Sequence, residues 1–170
     1  MAFFLLLINL SMRKIILITL LCFLFKVSAQ IPAVDIKDLN GNIINTAKFE
    51  NNGNPIIISF WATWCKPCKQ ELENINDVYE EWVEDTSVKL IAISIDDARN
   101  SSKIKPLVMS KGWEYEIYQD SNREFANKMG VSPIPHTFLL NGKGEVVWEH
   151  VTYTDGDEDE LYEKILEISE

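Results

Sequence analysis

One stretch limits the possible folds more than any other, running from Pro55 through Ile56-Ile57-Ile58-Ser59-Phe60-Trp61 to Ala62-Thr63-Trp64-Cys65-Lys66-Pro67-Cys68. Ile56 to Trp61 is a short, nearly continuous apolar run, the pattern of a strand buried on both faces in a central parallel sheet. Cys68, Leu72, Ile75, Tyr79 and Trp82 then recur at helical spacing and predict an amphipathic helix from about Pro67 to Glu84. Proline is tolerated in that first turn, where its missing N–H has no intrahelical partner. The chain thus passes from a buried strand, through a short loop, into a helix that starts inside Cys65-Lys66-Pro67-Cys68.

The surrounding segments fill in an α/β domain. Ile31 to Glu50 reads as extended segments around a turn at Asn40-Gly41, a strong hairpin signal. Val88 to Ile95 is a second buried strand. Asp96 to Gly112 reads as partly helical and broken at Pro106, and Trp113 to Tyr118 as a short strand. Asn122 to Met129 is a helix ended by Gly130. Thr137–Leu140 and Glu145–Val151 are strands joined by Asn141-Gly142-Lys143-Gly144, and Asp157 to Ile168 is a closing helix with acidic residues at its start. This order predicts a central mixed sheet flanked by helices.

Residues 1–29 stand apart. Arg13 and Lys14 precede the apolar run Ile15 to Phe25, and Val27, Ser28 and Ala29 precede Gln30. That is the layout of a secretory signal peptide, whose start could be Met12, or of an uncleaved membrane anchor. The run is short for a membrane span, and Cys22 within it reads as a small apolar residue that is discarded. The expected domain is 30–170, placed in the periplasm or otherwise exported, with or without a membrane tether.

Without Arg13, Lys14 and Lys26, the Lys+Arg count falls from 16 to 13 against 26 Asp+Glu, and the formal charge from −10 to −13. So acidic a domain is a poor candidate for nucleic acid or anionic membranes. Setting Cys22 aside leaves two of the 3 cysteines, too few for a disulfide framework.

Disulfide exchange needs one thiolate to attack and a second thiol to resolve. A cysteine at a helix N-terminus has its anion stabilised by free N–H groups and the positive dipole end. Cys65 is so placed, and Cys68, a turn later on the apolar stripe, is the more buried resolving residue. A zinc half-site would need two more ligands, and only His136 and His150 are available, at the wrong spacing for a finger. Haem attachment would need a histidine where Lys69 stands. No cofactor is expected beyond the Cys65–Cys68 redox pair. The acids Asp155 and Asp157–Glu160 lack the spacing of a calcium loop.

Phe60-Trp61-Ala62-Thr63-Trp64-Cys65-Lys66-Pro67-Cys68 resembles the active-site signature of the thioredoxin superfamily. Gly130-Val131-Ser132-Pro133-Ile134-Pro135-His136-Thr137-Phe138-Leu139-Leu140 resembles its second signature, a cis-proline loop leading into a strand. The hairpin at Asn40-Gly41 and the long segment before the cis-proline loop resemble the exported TlpA/ResA branch. The resemblance implies a thioredoxin-like fold with an N-terminal β-hairpin extension. It also implies that Pro135 is cis beside the cysteines and that Ile134 presents its backbone to a bound peptide. Thioredoxins hold a buried aspartate where this chain has Ser59; the TlpA/ResA pattern instead carries a glutamate at Glu71. Glu71 is then the expected general acid–base, partly buried near the sulfurs. His136 stands where the family usually has threonine, and reads either as an exposed loop residue or as a proton or substrate contact. Trp64 offers an apolar platform beside Cys65.

The expected function is therefore a thiol–disulfide oxidoreductase. The leading reading is a reductase of exported protein disulfides, with the family resemblance extending to cytochrome c maturation and to electrons from a membrane thiol carrier. A disulfide-forming oxidant and a copper chaperone using Cys65, Cys68 and His136 are the alternatives. A peroxiredoxin would want a proline and a threonine where Ile58 and Ala62 stand.

Overall fold

A computed structural model describes residues 30–169, so the leader read in residues 1–29 lies outside the described residues. The strands are β1 (Asp35–Asp38), β2 (Ile43–Asn45), β3 (Ile56–Trp61), β4 (Lys89–Ser94), β5 (Glu116–Gln119), β6 (His136–Leu140) and β7 (Val146–Val151). The α-helices are α1 (Lys66–Thr86), α2 (Ile104–Lys111), α3 (Glu124–Lys128) and α4 (Asp157–Ser169). All strands join one 7-stranded sheet in the order β2-β1-β5-β4-β3-β6-β7.

β3 is central because every one of its residues is buried, so both its edges and both its faces need cover. It pairs parallel with β4 and antiparallel with β6. The parallel β3–β4 pairing requires a crossover, which α1 supplies. The hairpin expected at Asn40-Gly41 forms β1–β2, which extends the sheet beyond β5. Asp38 fixes its turn by accepting from the N–H groups of Asn40 and Asn42.

α1 and α4 share one face of the sheet, where the Trp82 and Tyr162 rings stack at 5.3 Å. On the other face Phe125 of α3 packs on Phe60, ring centroids 5.3 Å apart. Full burial of an aliphatic or aromatic side chain stabilises by roughly 1.5–3 kcal/mol. Ile57, Ile58, Phe60, Leu72, Ile75, Leu90, Ile91 and Ile93 are all fully buried, so the sheet centre and the inner face of α1 form the rigid base of the domain.

Two expectations need correction. Asp96–Gly112 is helical in part, over Ile104–Lys111, but Pro106 does not break that helix; it is the third residue of α2, in the first turn, where a proline removes no needed donor. The strand read at Trp113–Tyr118 instead spans Glu116–Gln119. Trp113 and Tyr115 are buried for another reason. Trp113 packs edge-on against Trp61 at 5.4 Å, and the Tyr115 hydroxyl donates to the Leu72 carbonyl of α1 at 3.2 Å. Their aromatic burial mimics a strand pattern while the backbone pairs with β4 only from Glu116 onward.

Candidate active site

β3 ends at Trp61, and the next residues turn sharply into α1. Asp96, wholly buried at the end of β4, pins this loop: one carboxylate oxygen accepts from the Thr63 N–H at 2.8 Å and the other from the Thr63 hydroxyl at 2.7 Å. The Ser94 hydroxyl donates to the same carboxylate at 2.8 Å. The Lys69 ammonium donates back to the Thr63 carbonyl at 3.0 Å. The turn is therefore held by charge-assisted bonds from both sides.

Cys65 is the N-cap of α1, and its sulfur accepts from the Cys68 N–H at 3.3 Å. It takes the position usually held by a serine or aspartate oxygen, so the helix end that favours an anion points at this sulfur. Cys65 and Cys68 are joined as a disulfide. Cys65 is 5% exposed and Cys68 fully buried, so an incoming group reaches Cys65 first. Trp64, just before it, is 63% exposed.

Glu71 lies one turn beyond Cys68 on the buried stripe of α1 and is only 4% exposed. The Ser59 hydroxyl of β3 donates to one of its oxygens at 3.0 Å, and the Thr137 hydroxyl of β6 to the other at 2.6 Å. Ser59 and Thr137 are paired across the β3–β6 ladder, so both hydroxyls project from one face toward α1. Burial pushes the Glu71 carboxyl up to about 7; the two hydroxyl donors oppose this, while the nearby charges of Asp157 and Glu158 add to it. A narrow, water-sized space beside Glu71 is lined by Thr137, Tyr153, Asp157 and Glu158.

The second motif meets the same end of the sheet. β6 enters opposite Phe60, near the exit of β3, so the preceding Ile134-Pro135 lies at the level of the Cys65 loop. The Ile134–Pro135 bond is cis, and so is Ser132–Pro133. The Pro135 carbonyl accepts from the Thr152 N–H at 2.9 Å.

His136 is not an exposed loop residue. It is the first residue of β6, 5% exposed, with its ring stacked on Phe138 at 4.2 Å. Because Thr137 faces α1, alternation turns His136 and Phe138 to the opposite face, away from Glu71 and Cys68. Its Nε2 is 3.5 Å from a Glu149 oxygen, too long for a well-formed hydrogen bond. Burial lowers its pKa, with Glu149 opposing the shift. Among the described residues no group of three His, Cys, Asp or Glu side chains could hold a metal ion while Cys65 and Cys68 are joined as a disulfide. The acids at the start of α4 occupy its first turn, where they suit the helix dipole.

Thr137 and Asp96 are the polar residues of this region that the sequence reading passed over. A signal was there: Thr137 directly precedes the apolar run Phe138–Leu140 and Ser59 interrupts Ile56–Trp61, and a hydroxyl in a buried strand needs a hydrogen-bond partner.

Fold and site together define a thioredoxin-like thiol–disulfide oxidoreductase. The chain belongs to the AhpC/TSA family, whose model matches residues 27–149. It is 32% identical over 118 residues to the sporulation thiol-disulfide oxidoreductase A of Bacillus subtilis, covering 68% of this chain and 69% of that one. It is 29% identical over 124 residues to the thiol-disulfide oxidoreductase ResA of Bacillus thuringiensis, covering 73% and 69%. Among solved structures, a thioredoxin-like protein from Porphyromonas gingivalis is similar at 48% identity and a TM-score of 0.75, covering 84% of this chain and 93% of that one. StoA from Bacillus subtilis is similar at 25% identity and a TM-score of 0.62, covering 78% and 97%.

Proposed function

We propose that this protein is a reductase of disulfides in exported proteins, with Cys65 as attacking thiolate, Cys68 as resolving thiol and Glu71 as general acid–base. In the reduced state the Cys65 thiolate attacks a substrate disulfide, forms a mixed disulfide and releases one substrate thiolate. Glu71 takes the proton of Cys68, directly or through one water. The Cys68 thiolate then attacks the Cys65 sulfur, closes the internal disulfide and releases the second substrate thiolate. Two electrons pass to the substrate, and a dithiol donor, by family resemblance a membrane thiol carrier, restores the pair.

The observation that carries the reductase direction is the buried Glu71 one turn from Cys68. A strong oxidant is one whose reduced, thiolate form is stabilised. A buried carboxylate beside Cys68 repels a second anion there, so it disfavours the reduced thiolate and keeps the disulfide form favourable. Trp64 and the backbone of Ile134 flank the sulfurs and supply the apolar and strand-like contacts for a peptide substrate, with Pro135 shaping that edge.

The leader pattern in residues 1–29 supports export, and among the described residues no helix is long and apolar enough to cross a membrane. By resemblance, the disulfides of apocytochrome c and of other envelope proteins are the substrates to test first. The deciding measurement is the reduction potential of the Cys65–Cys68 pair against a glutathione or dithiothreitol buffer. The reductase reading expects a value near thioredoxin's, about −270 mV; one near about −120 mV would make the protein a disulfide-forming oxidant.

A further inference from the structure

Beside Cys65, on the β4 side of β3 and away from the Pro135 loop, two surface grooves meet at Leu107 of α2. One, of about 410 Å³, is lined by Lys66, Lys69, Glu73, Leu107 and Lys111 among others. The other, of about 360 Å³, is lined by Thr63, Trp64, Asn100, Lys103 and Leu107. Together they form a trough between the start of α1 and α2 that passes the residues on either side of Cys65.

The charge in this trough runs against the charge of the domain. From Gln30 onward acidic residues outnumber basic ones by 26 to 13, yet the trough carries four lysines and one carboxylate. Glu73 is already taken by Lys111 at 2.7 Å. Lys69 and Lys103 bond only neutral oxygens, the Thr63 carbonyl at 3.0 Å and the Asn100 side chain at 2.7 Å. Lys66 has no ion-pair partner among the described residues. Lys66, Lys69 and Lys103, three of the described cations without an ion-pair partner, thus gather in this one trough beside the reactive sulfur.

We propose that this trough docks an acidic segment flanking the target disulfide of the partner protein, with Lys66, Lys69 and Lys103 facing its carboxylates and Trp64 covering its apolar side chains. The inference rests on the oxidoreductase reading and adds to it a substrate class. A cluster of lysines on an otherwise acidic domain steers an acidic segment toward it and disfavours like-charged surface elsewhere. The segment is thereby brought to Cys65 along the lysine side of the trough, since Asp155 and Glu158 bond Gln70 and Asn74 at its other edge.

Two measurements test this. In the first, the reduced protein is given one disulfide peptide flanked by glutamates, the same peptide flanked by lysines, and uncharged bis(2-hydroxyethyl) disulfide. At low ionic strength the acidic peptide should react on the order of tenfold faster than the basic one. The ratio should fall as salt shortens the screening length, and should drop several-fold in Lys103→Glu. A ratio near one at low salt, or one untouched by Lys103→Glu, overturns the proposal. In the second, a cysteine-free glutamate-rich peptide is titrated into the oxidised protein and amide NMR shifts are followed. Shifts centred on Lys66, Lys103 and Leu107 support the trough, and shifts centred elsewhere overturn it. If no disulfide is reduced while the peptide still binds the trough, the oxidoreductase reading fails and the docking surface stands.

Discussion

The Thr137 hydroxyl donates to Glu71 at 2.6 Å across 66 residues of sequence, tying the strand after the proline loop to the helix that carries the cysteines. With Ser59 it gives a buried carboxylate two hydrogen bonds and no cation. That arrangement keeps Glu71 able to change its charge, because burial raises its pKa while the two donors restrain the rise.

Thr137→Val keeps the shape and removes one donor. The Glu71 pKa should then rise above about 7, and the alkaline shift should appear in the pH profile for resolving a mixed disulfide. Ser59→Ala should act in the same direction, and more weakly, since its bond is the longer one at 3.0 Å. A profile unchanged in both variants would separate Glu71 from the chemistry.

Glu71 also links stability to pH. Its folded pKa, raised from 4.5 to about 7, lies above its unfolded value. Between those two pH values the unfolded chain has lost this proton and the folded one holds it, so stability falls as pH rises from 4.5 and levels off above 7. The full cost is about 3 kcal/mol. Glu71→Gln cannot ionise and should escape it. Urea unfolding of the oxidised forms at pH 4.5 and pH 8 should show the variant gaining on the wild type by that order; parallel behaviour would mean that Glu71 stays unshifted.

Much of this arrangement was legible in the chain. Ile56–Trp61 had to be a central strand because it offers no polar face, and the spacing from Cys68 to Trp82 named the buried side of α1 and put Glu71 on it. What stayed hidden depends on distant partners. Nothing local says that Thr137 lies opposite Ser59, since that follows from the antiparallel β3–β6 register. Trp113 and Tyr115 looked like strand residues because burial against a helix and burial in a sheet leave the same apolar mark over a few positions. His136 looked like part of the loop, and its burial follows from β6 starting at His136, one residue before the strand expected at Thr137–Leu140.

Asp157 and Glu158, in the first turn of α4, each push the Glu71 pKa upward through their negative charge. Neutralising them in Asp157→Asn/Glu158→Gln should lower the Glu71 midpoint, opposite to the effect of Thr137→Val. Infrared titration of the buried carboxyl, or the same mixed-disulfide pH profile, would read it. An unmoved midpoint would show that solvent in the narrow space between them screens these charges.

The order of attack is the last expectation, and it follows from where each sulfur sits. Cys65 caps α1 and retains slight exposure, whereas Cys68 is fully buried within the first turn. Replacing Cys68 with Ser leaves the backbone N–H that now donates to the Cys65 sulfur at 3.3 Å, so the Cys65 thiolate keeps its stabilising donor and its route to solvent. That variant should accumulate mixed disulfides with protein substrates, because no second thiol is present to release them. Cys65→Ser should accumulate none: its remaining thiol is buried, beside a carboxylate that is increasingly anionic above about pH 7, and so has little thiolate character. The two variants can be compared by non-reducing gel after incubation with a disulfide-bonded protein, and by iodoacetamide alkylation rates across pH. Mixed disulfides formed through Cys68 instead would reverse the assigned roles and remove the reason for placing the base at Glu71.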